Sequence, residues 1–456
     1  MLINFRVENF LSFDQLTTFS MTLGKTKIHQ SNIINTNEID LLKFSGVYGA
    51  NASGKTNIVA AIGLSQAIIL DGIKNRQVVH AYNRNDESNA FKNTNFEYEI
   101  KVGNKLFSYG FGISMTENRI DKEWLYDVTD EEIMIYTRDK NIEFNKQYLN
   151  LSTTDQERLD IYGEDILEND TQLFLTEINK RKKALVSITD ETVFNDIYNW
   201  FRYSLEVISP EDMVTDFGLS YPEGKYMKKL AEFLELNDTG IKEVVLESTQ
   251  GKFKDIPIEV ETKIKEQILN NFLKSKRDSK EKKIKERKYG ALLRTPQNLY
   301  NIIFKDEELQ INEFKFIHEH GKYDFSEESD GTIRLIELFS ILFNKEEKVF
   351  VVDELDRSLH PLLTYNFVQS FLAKQDNSQL IVTTHEDRLL DLNLLRRDQI
   401  WFVEKDSDGN SRLYSLEEYK TRFDKNIMNA YLDGRYGGVP EVRDLFVDLL
   451  KDEEVS

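Results

Sequence analysis

Along the chain the spacing of apolar residues changes character three times. Leu2-Ile-Asn-Phe-Arg-Val7 alternates as a strand with one buried face does, and Phe44-Ser-Gly-Val-Tyr48 is a short apolar run that stops at Gly49. From Thr56 the apolar positions fall at helical spacing through Asn57-Ile-Val-Ala-Ala-Ile62 and on to Ile69. Phe96 to Val102, Lys105 to Ile113 and Glu123 to Val128 alternate again, which predicts a strand meander beside that helix and a first lobe over residues 1–130. In residues 131–300 apolar positions such as Ile264, Ile268, Leu269, Phe272 and Leu273 recur at helical spacing, so a mostly helical insertion is expected there. Beyond it strand and helix patterns take turns: Asn312 to His318, Thr332 to Phe343, Val349 to Val352, Tyr365 to Ala373, Leu380 to Val382 and Ile400 to Val403. Such alternation indicates an α/β fold with a parallel sheet flanked by helices. Residues 301–456 are thus a second lobe, its last helix expected from Pro440, a favoured first helical position, to about Lys451.

Composition narrows the function. With 40% hydrophobic residues and 30% charged, the 456-residue chain can build a sizeable core. A net charge of −20 repels phosphate backbones over most of the surface, so nucleic acid would need a local basic patch. The candidate is Lys274 to Lys288, where nine basic residues face only Asp278, Glu281 and Glu286. It could hold DNA, RNA or an acidic partner, or simply form a solvated helical surface. No aromatic residue interleaves it between Phe272 and Tyr289, which argues against base stacking. The chain has no cysteine, so disulfides, iron–sulfur clusters, thiolate zinc and cysteine nucleophiles are excluded. The opening MLINFRVENFLSF lacks the layout of a secretory signal, and no run of about 18 apolar residues occurs, so a soluble cytoplasmic protein without a membrane span is expected.

The most specific chemistry is Gly49-Ala-Asn-Ala-Ser-Gly-Lys-Thr56, which fits the phosphate-loop pattern GxxxxGK[ST]. Its glycines let the backbone wrap so that successive N–H groups face an anion, and the following helix adds its positive end. Lys55 would reach the β and γ phosphates of ATP, and the Thr56 hydroxyl would hold Mg²⁺. A second element, Lys348-Val-Phe-Val-Val-Asp-Glu354, is an apolar strand that delivers two carboxylates to its carboxyl end, where ligands sit in open α/β sheets. Asp353 would bind the metal and Glu354 would act as general base on the attacking water. Ser329-Asp-Gly-Thr-Ile-Arg334 opens a helix before that strand, a possible second phosphate clamp. Leu355-Asp-Arg-Ser-Leu-His-Pro361 follows the strand, and a further apolar run ends in Thr383-Thr-His385.

These five pieces, in this order, resemble the ATP-binding-cassette ATPases of the SMC, Rad50 and OLD type, with their phosphate loop, signature, acidic strand, D-loop and switch histidine. Val7-Glu-Asn-Phe-Leu-Ser-Phe13, the loop extended to Asn57, Glu328-Ser-Asp-Gly-Thr332, Arg397-Asp-Gln-Ile-Trp-Phe-Val-Glu404 and Tyr431 to Pro440 look most like the bacterial AAA15 or RloA-like group, the abortive-infection ATPases. The resemblance covers both lobes and only loosely the insertion.

What it implies can be stated residue by residue. Gly49, Asn51, Ser53, Gly54, Lys55, Thr56 and Asn57 would hold ATP and Mg²⁺; Asp353 would be the acidic metal ligand, Glu354 the base, and His385 the sensor of the γ phosphate. Ser329 and Gly331 would contact the γ phosphate bound to a partner copy, with Asp356 at the same interface. A homodimer or larger homo-oligomer is thereby implied. In this group the effector is a separate nuclease or toxin, RloB-like or of the Toprim kind, and the setting is defence against phage. The chain itself shows no nuclease site, and its insertion is too short for the coiled coils of SMC or Rad50 proteins. A repair clamp of the RecF or Rad50 type and a non-hydrolytic, ATP-ordered scaffold are the rival readings.

Three positions depart from the pattern. Asp330 stands where the signature usually has glycine, and Leu11 where relatives often carry an arginine, although Arg6 lies nearby. A glutamine loop has only Gln77 and Gln147 as candidates, both readable as surface residues. His318 and His320 could bind metal from one face of a strand but read more simply as hydrogen-bonded or exposed residues; His360 reads as a turn residue, and Arg435 to Gly438 as a glycine-bent turn that could also line an interface.

Overall fold

The computed structural model describes residues 1–73, 78–180, 193–209, 214–215, 224–257, 261–262, 265, 290–295, 297–305, 308–344, 347–419 and 427–437. These fall into two compact units, one formed by Met1–Val207, Lys348–Leu355 and Gln375–Ser456, the other by Ile208–Glu347 and Asp356–Lys374.

The first unit is built on two sheets. In one, strands run in the order Leu205–Ile208, Val349–Val352, Gln379–Thr383, Phe44–Tyr48, Ile400–Lys405 and Ser411–Ser415. From Val349–Val352 to Ile400–Lys405 the pairing is parallel, and the last pair is antiparallel. Every position of Phe44–Tyr48, Val349–Val352 and Gln379–Thr383 is buried, as expected of central strands covered on both faces. The other sheet is an antiparallel meander of seven strands, from Ile142–Phe144 through Ile133–Arg138, Arg119–Asp127, Lys105–Ser114 and Thr94–Val102 to Leu2–Glu8 and Thr17–Ser20. Its alternation sorts the two faces. Phe5 lies opposite Tyr98 in the core with ring centroids 4.8 Å apart, while Arg6, opposite Glu97 on the outer face, is paired with Glu97 and Glu99.

The helix Lys55–Asp71 shares one continuous core with both sheets: Ile58, Val59, Ile62, Ile68 and Ile69 join Val47, Val351 and Ile381 from one side and Phe5, Phe96 and Tyr98 from the other. Burying each such side chain stabilises by roughly 1.5–3 kcal/mol before entropy is charged against it. One polar contact fixes the helix on the meander, where Ser65 Oγ and the Tyr98 hydroxyl lie 2.6 Å apart. Burial pushes the Tyr98 phenol well above its usual range, so it remains a donor. Gly72, at φ 77°, ends the helix by donating its N–H to the Ile68 carbonyl at 2.7 Å.

The second unit holds an antiparallel sheet ordered Val214–Thr215, Gly290–Arg294, Leu299–Lys305, Glu308–His318 and Ile241–Ser248, with Gly321–Asp324 turned back on Glu308–His318. The helices Gly224–Leu236 and Asp330–Phe343 pack on it through Met227, Leu230, Leu234, Leu335 and Phe339 against Phe314 and Phe316.

This division differs from the three consecutive segments expected above. Residues 131–300 do not stand apart as one mostly helical insertion: Ile133–Arg138 and Ile142–Phe144 extend the meander, while Ile241–Ser248 and Gly290–Arg294 are strands of the second unit. Nor do residues 301–456 form a single lobe, because Glu308–His318 pairs antiparallel in the second unit and the parallel strands lie in the first. The apolar positions Ile264 to Leu273, the basic run Lys274 to Lys288 and the expected helix from Pro440 lie outside the described residues. Among the described residues no helix is long and apolar enough to cross a membrane.

Candidate functional site

In the first unit the loop between Phe44–Tyr48 and Lys55–Asp71 is wound by backbone that few residues adopt. Ala52 has φ 61° and Gly54 φ 111°, so the chain coils into a concave turn at the amino end of a 17-residue helix. Space is as demanding as conformation. A Cβ on Gly49 would come within 2.4 Å of the Val403 carbonyl, and one on Gly54 within 2.2 Å of Ser411 Oγ. Both glycines are therefore fixed by their neighbours as well as by the turn.

Lys55 is buried and its ammonium donates to the Gly49 and Ala50 carbonyls at 2.8 and 3.0 Å, which folds the side chain back over the loop. Ser53 is buried with a hydroxyl that has no hydrogen-bond partner among the described residues, an orphaned group that an anion in the loop would satisfy. Asn51 and Thr56 are exposed.

The acidic strand adjoins the loop. Asp353, 3% exposed, accepts on Oδ1 from Thr56 Oγ1 at 3.4 Å and from Thr383 Oγ1 at 2.5 Å. Just past the strand, Glu354 sits at φ 49°, a left-handed conformation uncommon for such a residue. Thr383 holds that turn: its Oγ1 accepts the Glu354 N–H at 2.8 Å and its carbonyl accepts the Leu355 N–H at 2.9 Å. Glu354 is half-buried, and His385 is exposed two residues beyond the neighbouring strand end. The loop, Asp353, Glu354 and His385 thus all lie at carboxyl ends of parallel strands, as ligand-binding groups do in open α/β sheets.

The donor set fits Mg²⁺. A hydroxyl and a carboxylate are hard oxygen ligands, and this ion is commonly held by one or two carboxylates with substrate phosphates supplying the rest. No cluster of three or more His, Asp or Glu suited to a metal occurs among the described residues, so the His318 and His320 pair is not a metal site of that kind.

Three contributors were not assigned a role from the sequence. Thr383 is one. Ser12 and Ser411 are the others: Asn57 Nδ2 donates to Ser12 Oγ at 2.7 Å, and Ser411 Oγ lies 2.7 Å from Ser12 Oγ and donates to the Ser53 carbonyl at 2.5 Å. Ser12 falls within the Val7 to Phe13 motif, whereas Ser411 has no local signal and reaches the loop only because its strand pairs with Ile400–Lys405. Arg6 is occupied by Glu97 and Glu99 and does not substitute for the arginine missing at position 11. Gln147 is exposed on the short helix Lys146–Leu149, and Gln77 lies outside the described residues.

In the second unit Ser329 is the exposed N-cap of Asp330–Phe343, its Oγ accepting the Thr332 N–H at 3.1 Å. Gly331 lies against the next loop of the same unit, since a Cβ there would stand 2.9 Å from the Ser358 carbonyl. Asp356 is half-buried at the start of that loop, and Ser358 has φ 59°. His360 caps the helix Pro361–Leu372, its Nδ1 accepting the Leu362 N–H at 3.2 Å. His318 Nε2 lies 2.7 Å from Glu328 Oε1, which ties the end of its strand to the residue before Ser329, while His320 is exposed in the turn.

A family model described as "AAA domain, putative AbiEii toxin, Type IV TA system" matches residues 44–391. No curated protein matches the chain. Among solved structures, an Smc head bound to the C-winged helix domain of ScpA is 14% identical over 91% of this chain and 97% of its own, with a TM-score of 0.38. An SMC head domain from Thermotoga maritima is 12% identical over 91% and 98%, with a TM-score of 0.35. A head domain with an extended coiled coil, bound to the C-terminal domain of ScpA derived from Pyrococcus furiosus, is 13% identical over 91% and 96%, with a TM-score of 0.37.

Proposed function

We propose, from the premise that the chain belongs to the AAA-domain family whose model spans residues 44–391, that it is an Mg²⁺-dependent ATPase and that hydrolysis resets a switch. The observation that carries this reading is the convergence of Lys55, Thr56, Asp353 and a strained, pinned Glu354 on one end of the parallel sheet. Lys55 would exchange its loop carbonyls for the β and γ phosphates, and Thr56 with Asp353 would hold the metal. Bound there, Mg²⁺ would neutralise charge on the phosphate oxygens. Glu354 would accept a proton from the attacking water, and His385 would contact the γ phosphate.

ATP would also bring two copies together, the exposed Ser329 and the half-buried Gly331 of one reaching the nucleotide on the other, with Asp356 beside them. The resemblance to abortive-infection ATPases supports a role in phage defence, with the nucleotide state controlling a separately encoded nuclease or toxin. Glu354→Gln keeps the shape of the turn and removes the base, so ATP turnover should fall at least about 100-fold while ATP still binds and an ATP-bound species of doubled mass accumulates. Turnover at the wild-type rate would show that Glu354 is not the base.

A further inference from the structure

The stretch Tyr431-Leu-Asp-Gly-Arg-Tyr-Gly437 supplies none of the groups proposed to hold ATP or Mg²⁺, yet it is firmly seated in the first unit. Gly434 at φ 75° and Gly437 at φ 65° bend it through backbone that a side chain resists. A Cβ on Gly437 would also run into the Glu404 carboxylate and the Tyr414 hydroxyl. That hydroxyl donates to the Tyr436 carbonyl, and the short helix Ile427–Leu432 before the bend is buried through Ile427, Ala430 and Tyr431.

What it is seated on is the back of the phosphate loop. Val47, Trp401 and Val403 share the core of the helix Lys55–Asp71, so by strand alternation Tyr48 and Phe402 face the other side of the parallel sheet. There Tyr431 and Tyr436 lie nearly parallel to Phe402, with ring centroids 5.4 and 5.6 Å away and planes 18° and 9° apart. Tyr431 also meets Tyr48 edge-on at 6.5 Å. Tyr48, Phe402 and Tyr436 are fully buried and Tyr431 nearly so, in the stacked and edge-to-face arrangements that aromatic rings favour.

The two strand positions under these rings control the loop's entry. Tyr48 immediately precedes Gly49 and pairs in register with Phe402, and the next residue, Val403, carries the carbonyl that a Cβ on Gly49 would strike. The path of Gly49 thus depends on how these two strand ends are held, by the helix on one face and by the rings on the other. Burial, and then the charge of Asp387, push the Tyr431 phenol up to about 12, so the turn two residues past His385 is within electrostatic reach of the same ring. We propose that residues 427–437 form a strap that positions the phosphate loop, with Tyr431 as the positioning residue, so that seating of the strap and binding of nucleotide favour each other. The proposal rests on the phosphate-loop reading.

The test is calorimetric titration of the full chain with Mg²⁺-ATP and, separately, with Mg²⁺-tripolyphosphate, which has the phosphates and no nucleoside, at a temperature where circular dichroism shows each variant folded. Tyr431→Ala removes the stack and should bind both ligands about tenfold more weakly, whereas Tyr431→Phe keeps it and should bind both within roughly twofold of wild type. In the wild-type chain, amide exchange across residues 427–437 should slow when Mg²⁺-ATP binds, an arm that decides the matter even where Tyr431→Ala does not fold. A lower Tm with unchanged affinity for both ligands would make Tyr431 a packing residue and overturn the proposal. So would a Tyr431→Phe variant as weak as Tyr431→Ala, or exchange in the strap that ignores the nucleotide. Lys55→Ala should weaken both ligands; if it binds both like wild type, the phosphate-loop reading fails instead.

Discussion

Thr383 shows how much of the site depends on one hydroxyl. Its Oγ1 donates to Asp353 and accepts from the Glu354 N–H, so it orients the proposed metal ligand and holds the backbone of the proposed base at a positive φ. Thr383→Val has nearly the same shape and makes neither bond. It should destabilise the protein by about 1–3 kcal/mol, because a buried carboxylate and an N–H each lose a hydrogen bond, and lower ATP turnover about tenfold or more while leaving ATP affinity nearly intact. Urea unfolding and steady-state kinetics would check both; a variant with normal turnover would separate Thr383 from catalysis. The residue types proposed for the chemistry were legible in the sequence, since Lys55 and Thr56 close a phosphate-loop pattern and Asp353 and Glu354 end an apolar strand. It did not show Thr383 in this role, because that role depends on the parallel register that sets Val352 beside Val382. Ser12 and Ser411 were hidden for the same reason, 399 positions apart yet 2.7 Å in space.

At the scale of elements, alternation and helical spacing located the meander, the helix after the loop and the parallel strands to within a few residues. They failed where one period was read over a mixed stretch. Ile241–Ser248 is buried irregularly rather than at every second position, so it lacks the strict alternation that marks a half-buried strand. The helix Asp330–Phe343 supplies a more local test. Gly331 in its first turn faces the Ser358 carbonyl, and a backbone atom in a loop already at positive φ cannot swing aside cheaply. Gly331→Ala gains about 1 kcal/mol of helix propensity against an overpacking cost of about 1–3 kcal/mol. A small net loss of stability is expected, read as a fall in Tm. The larger effect should be on assembly, because Ser329 and Asp356 lie at either end of the displaced contact. ATP-dependent doubling of mass should be lost while ATP binding persists, and a variant that still doubles would remove Gly331 from the interface.

For the whole molecule, the charge of −20 gives the switch and the DNA clamp opposite salt dependences. Two copies that ATP would bring together would each carry that charge, and their mutual repulsion would extend over a Debye length, roughly 10 Å at 0.1 M salt and about 30 Å at 0.01 M. Raising the salt screens the repulsion between whole molecules, whereas contacts buried around the nucleotide are screened much less. The ATP-bound dimer of Glu354→Gln should therefore tighten as salt rises from about 0.03 to about 0.3 M, measured by analytical ultracentrifugation with Mg²⁺-ATP present. A DNA clamp behaves in the opposite sense. Binding through phosphate contacts releases counterions, and six to ten such contacts lose about 10³–10⁵ in affinity between roughly 0.05 and 0.2 M salt. Dimerisation that strengthens with salt, together with no ATP-dependent retention of duplex DNA at low salt, supports a switch acting on a protein effector. Dimers that weaken with salt while DNA is held only in ATP would assign the basic run Lys274 to Lys288 a DNA contact and turn the reading towards the clamp.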